Sequence, residues 1–213
     1  MLAAKRVFLA ICARNYGKAG LLPTEDVLGE ELGVSRTVVR EAIKSLSSKT
    51  VVETRRRRGT AVLDQSEWNF VDRDLIKWMS EDKSFPDIFE RLLDALAFTQ
   101  PELLSNIERT DANLRALRAS AEAIQGSPGD VAVTAMGFHL LVAQLAENPF
   151  LLTLTANVAR SLRSQHLDRL VDMRFGRRHS NYLDLVSAVE RGDVGEARKQ
   201  MSSILRPLTV LVD

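Results

Sequence analysis

The chain has 213 residues, with 29 Lys and Arg against 28 Asp and Glu, one cysteine and 45% hydrophobic residues, enough to bury one large or two modest cores. Its formal charge of +1 hides a split, because residues 1–63 hold 12 Lys and Arg against 6 Asp and Glu and the remainder 17 against 22. A basic module therefore precedes a mildly acidic one, as expected where only the first meets nucleic acid, and a single cysteine excludes an internal disulfide.

The first segment, Lys5-Arg6 followed by VFLAICA, has the outline of a secretory signal. Its apolar run is only seven residues, Arg14 ends it, and Ile11 is too large for the position before a lipid-attachment cysteine. The run reads instead as a helix with Cys12 as a small core residue in a reduced cytoplasm. Nothing later approaches the roughly 20 apolar residues of a membrane span.

Thr24 caps a second helix, Glu25 and Asp26 suit its positive end, and Gly33 closes it just before Ser35, the cap of a third. A helical wheel over residues 35–46 gathers Val38, Val39, Ala42, Ile43 and Leu46 on one arc and Arg36, Thr37, Arg40, Glu41 and Lys44 on the other. A charged arc alone also fits an ordinary solvated helix. Helix, tight glycine turn and basic second helix together fit a helix-turn-helix. Residues 50–54 (TVVET) and 59–63 (GTAVL) are β-branched runs that predict a hairpin with Arg55, Arg56, Arg57 and Arg58 at its tip. Such a cluster beside a basic helix points to phosphates, although a loop kept soluble by charge has the same composition.

From Ser66 onward helical periodicity dominates, predicting helices over 67–81, 85–98, 101–125, 129–146, 149–173, 178–191 and 193–211, with breaks at Pro86, Pro101, residues 126–129, Asn148-Pro149 and Gly192-Asp193. The fold class is mainly α: a winged helix-turn-helix over 1–63 and an all-α bundle over 67–213. Catalysis has little support, because His139, His166 and His179 lack HxxxH or HExxH spacing, and neither a GxxxxGK loop nor a GxSxG elbow is present. An α-helical enzyme stays as the remote alternative.

LPTE, LGEELGVSRTVVREAIKSL and GTAV resemble, in order, the winged helix-turn-helix of the GntR family of bacterial transcription regulators. The resemblance implies that Ser35, Arg36, Thr37 and Arg40 touch double-stranded DNA and that the wing around Arg58 and Gly59 enters the minor groove. Lys44 and Arg55 to Arg57 join them as candidate DNA-binding residues. Many members carry Arg where this chain has Asp26, so one phosphate contact is expected to be missing, with the arginine run as the candidate compensation.

FHLLVAQLAENPFL (138–151) and AVERGDVGEARKQM (188–201) resemble the FCD ligand-binding domain of the FadR-like branch of that family. The resemblance implies a bundle that binds a small effector, often a carboxylate, and forms a homodimer on a palindromic operator. Many members also hold a divalent metal with one Asp and three His. Here His139 is present, but the other positions fall on Ala135, Tyr182 and Ile204, so no family-type metal or other cofactor is expected. A rearranged site using His139 and His179 stays open.

Without metal, an anion needs protein donors, and the candidates are His139, Tyr182, Arg91, Arg160 and Arg163. Surface arginines, a core histidine and a packing tyrosine are the bland equivalents. SEWNFVDRDLIKW (66–78) resembles the stretch after the wing in regulators of sugar-acid breakdown, and Trp68 and Trp78 read as anchors between the domains. The expected function is a cytoplasmic DNA-binding repressor answering to a sugar acid. The alternatives are a non-sugar carboxylate or acyl effector, or a dimer that senses nothing.

Overall fold

The computed structural model describes residues 2–13, 16, 20–85, 87–126, 131–162 and 179–205. They divide into two units, Met1–Ser84 and Phe85–Asp213.

In the first unit, α1 (Leu2–Cys12) buries Ala3, Ala4, Val7, Phe8 and Ile11 and packs on α3. The apolar run with the outline of a signal is thus the core stripe of a helix. The next helices are α2 (Glu25–Leu32) and α3 (Arg36–Ser47). Strands β1 (Val52–Arg55) and β2 (Gly59–Val62) pair antiparallel with Val52 opposite Val62 and Arg55 opposite Gly59. The first strand starts later than the expected residue 50, because Thr50 takes a left-handed φ of 55°, unusual for a β-branched residue. Its hydroxyl reaches the Glu67 carbonyl, which holds the turn. Leu22 N–H donates to the Thr60 carbonyl at 2.8 Å, so the segment before α2 protects one edge of the hairpin.

Helix α4 (Arg73–Ser80) is capped by Asp72, whose carboxylate accepts from the N–H groups of Asp74 and Leu75. It is shorter than the expected 67–81 helix, whose first residue, Glu67, instead ends a 3₁₀ turn at Gln65–Glu67. The buried Lys49 ammonium lies 3.0 Å from Asp72 and 2.9 Å from Asp74, with the Trp78 ring 5.8 Å away. Burial alone would lower its pKa, but the carboxylates of Asp74 and Asp72 outweigh it and hold the lysine above its ordinary value. Phe8 sits 5.7 Å from both Trp68 and Trp78, and the Trp68 indole donates to the Leu63 carbonyl at 3.0 Å. Both tryptophans therefore pack within the first unit, and the boundary expected at 63–67 falls inside it.

The second unit contains α5 (Ile88–Leu103), α6 (Asp111–Gln125), α7 (Val131–Leu145), α8 (Pro149–Leu162), α9 (His179–Arg191) and α10 (Val194–Leu205). Helix α10 packs on α9 and α5, α9 on α6, and α7 on α6 and α8. The break expected at Pro101 does not occur: α5 runs through it. Proline's fixed φ is itself helical, so the chain can continue; the missing N–H leaves the Ala97 carbonyl without its helical donor, and the helix ends two residues later. The actual break follows a 3₁₀ turn at Leu104–Asn106, and Thr110 caps α6 by accepting from Asn113 N–H at 3.2 Å. Arg118 on α6 donates to Glu190 on α9 at 2.7 Å and holds that carboxyl below its usual range. Gly192 closes α9 at φ 76°, beneath the Arg109 guanidinium, which donates to the Glu190 carbonyl at 2.7 Å. The expected continuations of α8 to 173 and of the last helix to 211 lie largely outside the described residues. No described helix is long and apolar enough to cross a membrane.

Candidate nucleic-acid interface and sensory cluster

The reading module is assembled by local chemistry. Thr24 Oγ1 accepts from Val27 N–H and Ser35 Oγ from Val38 N–H, each at 3.4 Å, and Gly33 takes φ 66° between the two helices. Gly29 lets the turn close, since a Cβ there would stand 3.1 Å from the Val34 carbonyl oxygen. Helix α3 buries Val39, Ala42, Ile43 and Leu46. That presents Ser35, Arg36, Thr37, Arg40 and Lys44 to solvent, as a face that enters a groove requires. Val38, expected in the apolar arc, is 42% exposed instead, because it lies on the flank of that arc rather than at its centre.

Ion pairs divide the cations into two groups. Glu25 accepts from Arg36 Nε at 3.0 Å and lies 3.0 Å from Arg40 Nε. Asp26 stands 3.5 Å from Arg36 Nη1, and Lys44 bonds Glu41 at 2.7 Å. Hydrogen bonding from Arg36, joined by Arg40, holds the Glu25 carboxyl below its ordinary value. In the wing, Arg55 is paired with Glu53 at 2.7 Å. Arg56, Arg57 and Arg58 are exposed and face no carboxylate among the described residues. The turn closes with Arg58 N–H donating to the Arg55 carbonyl at 3.0 Å, with Arg57 at φ 63° and Gly59 at φ 84°. The unpaired positive charge is thus concentrated at the wing tip.

In the second unit the polar residues converge on His139. Thr155 Oγ1 donates to the Leu151 carbonyl at 2.8 Å and so accepts from Gln100 Nε2 at 3.1 Å. Gln100 Oε1 then faces His139 Nδ1 at 3.4 Å, which places the imidazole proton on Nδ1 and leaves Nε2 to accept from the Tyr182 hydroxyl at 3.1 Å. Complete burial pushes the His139 pKa down from 6.5 to about 3, so the ring is neutral. The chain draws on α5, α7, α8 and α9, with Phe138 edge-on to Tyr182 at 5.0 Å.

Sequence reasoning missed Gln100 and Thr155, since a lone polar residue in a helix reads as surface. Among the described residues these two, rather than Arg91 or Arg160, hydrogen-bond within the His139 cluster. Arg160 is exposed and donates to the Ala156 carbonyl and the Asn157 side chain on its own helix, at 3.1 and 2.6 Å. Arg91 is also exposed. Arg163 and the His179 side chain lie outside the described residues.

The metal positions of the resembling domains do not fit a divalent ion here. Ala135 and Ile204 offer no donor, both are fully buried, and the Tyr182 hydroxyl is bonded to His139. One imidazole falls short of the usual four to six donors. Among the described residues no three His, Cys, Asp or Glu side chains are grouped to hold a metal.

The gntR family model of bacterial regulatory proteins matches residues 6–62, and the FCD domain model matches residues 95–207. The chain belongs to the GntR family. This GntR regulator is 33% identical over 156 residues to the uncharacterised HTH-type transcriptional regulator YieP of Escherichia coli K12, a match covering 70% of this chain and 67% of the relative. It is 30% identical over 216 residues to a protein of the same organism provisionally named as the L-lactate dehydrogenase operon regulatory protein, covering 95% of this chain and 81% of the relative. The Streptococcus agalactiae GntR structure shares the fold at a TM-score of 0.52 and 21% identity, covering 96% of this chain and 95% of that one. The GntR chain is a DNA-binding transcription regulator, not an enzyme.

Proposed function

We propose that this regulator is a cytoplasmic repressor that binds a palindromic operator as a homodimer and releases it when a small hydroxy-carboxylate, a sugar acid first, engages the His139 cluster. The observation that carries the reading is the directed chain from Tyr182 through His139 and Gln100 to Thr155 in the core of the bundle. Tyr182 Oη can donate to a carboxylate, and the neutral Nε2 of His139, 3.1 Å away, can accept from the hydroxyl beside it. A donor and an acceptor that close together match the adjacent groups of a 2-hydroxy acid. A neutral cluster also favours a hydroxyl-rich monocarboxylate over a dicarboxylate, whose second charge would be costly to desolvate. The name of the lactate-operon relative and the sugar-acid-regulator resemblance of residues 66–78 support the same class. The site works without metal.

The test is gel shift on the upstream DNA of the gene itself, with aldonates, uronates, lactate and acyl-CoA, beside thermal shift on the same panel. A hydroxy acid should release the DNA and raise the melting temperature by mass action. Release by acyl-CoA alone would refute the hydroxy-acid reading, and stoichiometric zinc or nickel on chelator-treated, reloaded protein would refute the metal-free one. The cluster also satisfies its own hydrogen bonds, which favours a second reading, a dimeriser that senses nothing. Unaltered DNA binding and melting across the panel would establish that reading.

A further inference from the structure

The reading helix meets DNA with its cations already engaged. Arg36 and Arg40 share Glu25, and Arg36 extends a second guanidinium nitrogen to Asp26. Two carboxylates therefore face two guanidiniums, and this corner of the module carries no net charge. With Glu25 alone it would carry one positive charge. Asp26 is exposed, at 68% for its side chain, and its only ion pair among the described residues is with Arg36. The wing tip, by contrast, keeps three unpaired arginines.

We propose that Asp26 competes with DNA phosphate for Arg36 and so sets how strongly the reading helix grips DNA of any sequence. Arg36 is 61% exposed and still needs a partner exchange before it can bond a phosphate oxygen. Exposed pairs of this kind are weak, so the competition is a tuning device and not a block. Glu25, bonded by both arginines, orients them, and Asp26 withholds one of them. Asp26 acts through Arg36 and is a positioning residue.

The experiment is a double-mutant cycle on the full chain, using fluorescence anisotropy with a mixed-sequence duplex over a series of salt concentrations. Asp26→Asn keeps a polar side chain in the first turn of α2 while removing the charge. It should tighten binding roughly threefold, the scale of a weak surface pair, and steepen the salt dependence by about one phosphate contact. In an Arg36→Ala background the same change should have no effect, and Asp26→Glu should behave as the parent chain. Both side chains are exposed, and matching thermal melts verify that each variant is folded. An equal gain with and without Arg36 would show that Asp26 merely repels phosphate, and no gain in either background would remove its role altogether. Either result overturns the proposal.

Discussion

Acid should loosen the second unit through one imidazole. His139 is fully buried, with its pKa pushed down to about 3 from an ordinary 6.5. A histidine held neutral in the folded chain takes up a proton only on unfolding. Its contribution is intact above about pH 6.5 and is lost as the pH falls from there towards the folded value. Linkage for one such group gives a loss of about 2 kcal/mol between about pH 7 and about pH 5. The carboxyls that the fold holds low, Glu190 among them, titrate below this window. His139→Asn keeps a donor near the position of Nδ1 and lacks the titrating group. Urea denaturation followed by far-ultraviolet circular dichroism should find the variant less stable at neutral pH, by about 1–3 kcal/mol for the disrupted network. That deficit should shrink by about 2 kcal/mol on going to about pH 5. A deficit independent of pH would refute the claim that the ring is buried and neutral.

Replacing Arg56, Arg57 and Arg58 with Ala should reduce the slope of log affinity against log salt by up to about 2.7 per protomer, and an unchanged slope on mixed-sequence DNA would clear the wing of phosphate contact. Gly192→Ala forces a Cβ into a φ of 76° and to 2.7 Å from Arg109 Nη1, costing about 2–3 kcal/mol; Gly195→Ala, where the nearest atom stands at 3.6 Å, should gain up to about 1 kcal/mol. Equal effects at the two glycines in urea denaturation would contradict the left-handed cap. Lys49→Met leaves Asp72 and Asp74 without their shared cation and should cost the first unit about 2–3 kcal/mol, less than a wholly dry pair because both carboxylates keep some water. A tryptophan-monitored melt unchanged by that substitution would count against it.

The helix-turn-helix was readable because its determinants are local: Thr24, Gly33 and Ser35 cap or close neighbouring turns. Features set by distant partners were not. Thr50 adopts its left-handed turn with Glu67 as hydrogen-bond acceptor, which moved the start of β1. Helix α4 looked like the first helix of the bundle, yet Lys49 and Phe8, far away in sequence, tie it to the reading module. At Pro101 the local rule misplaced the break by only a few residues, because the helix runs two residues past the proline before it ends. On the sensing side, His139 and Tyr182 were identified as a pair through family resemblance, whereas Gln100 and Thr155 emerged only when four helices brought them together. The basic face of α3 was legible, but the pairing of Arg36 and Arg40 with Glu25 and Asp26 required the α2 and α3 positions in space.

Phe8 between the two indoles has a spectroscopic consequence. The chain contains two tryptophans, and both stand against that one phenyl ring in the DNA-reading unit. Intrinsic tryptophan emission is therefore an optical label for one unit, supplied without chemistry, while the bundle contributes tyrosine alone among its described fluorophores. A change in this emission on adding a hydroxy acid would therefore report on the DNA-reading unit itself, with no DNA present.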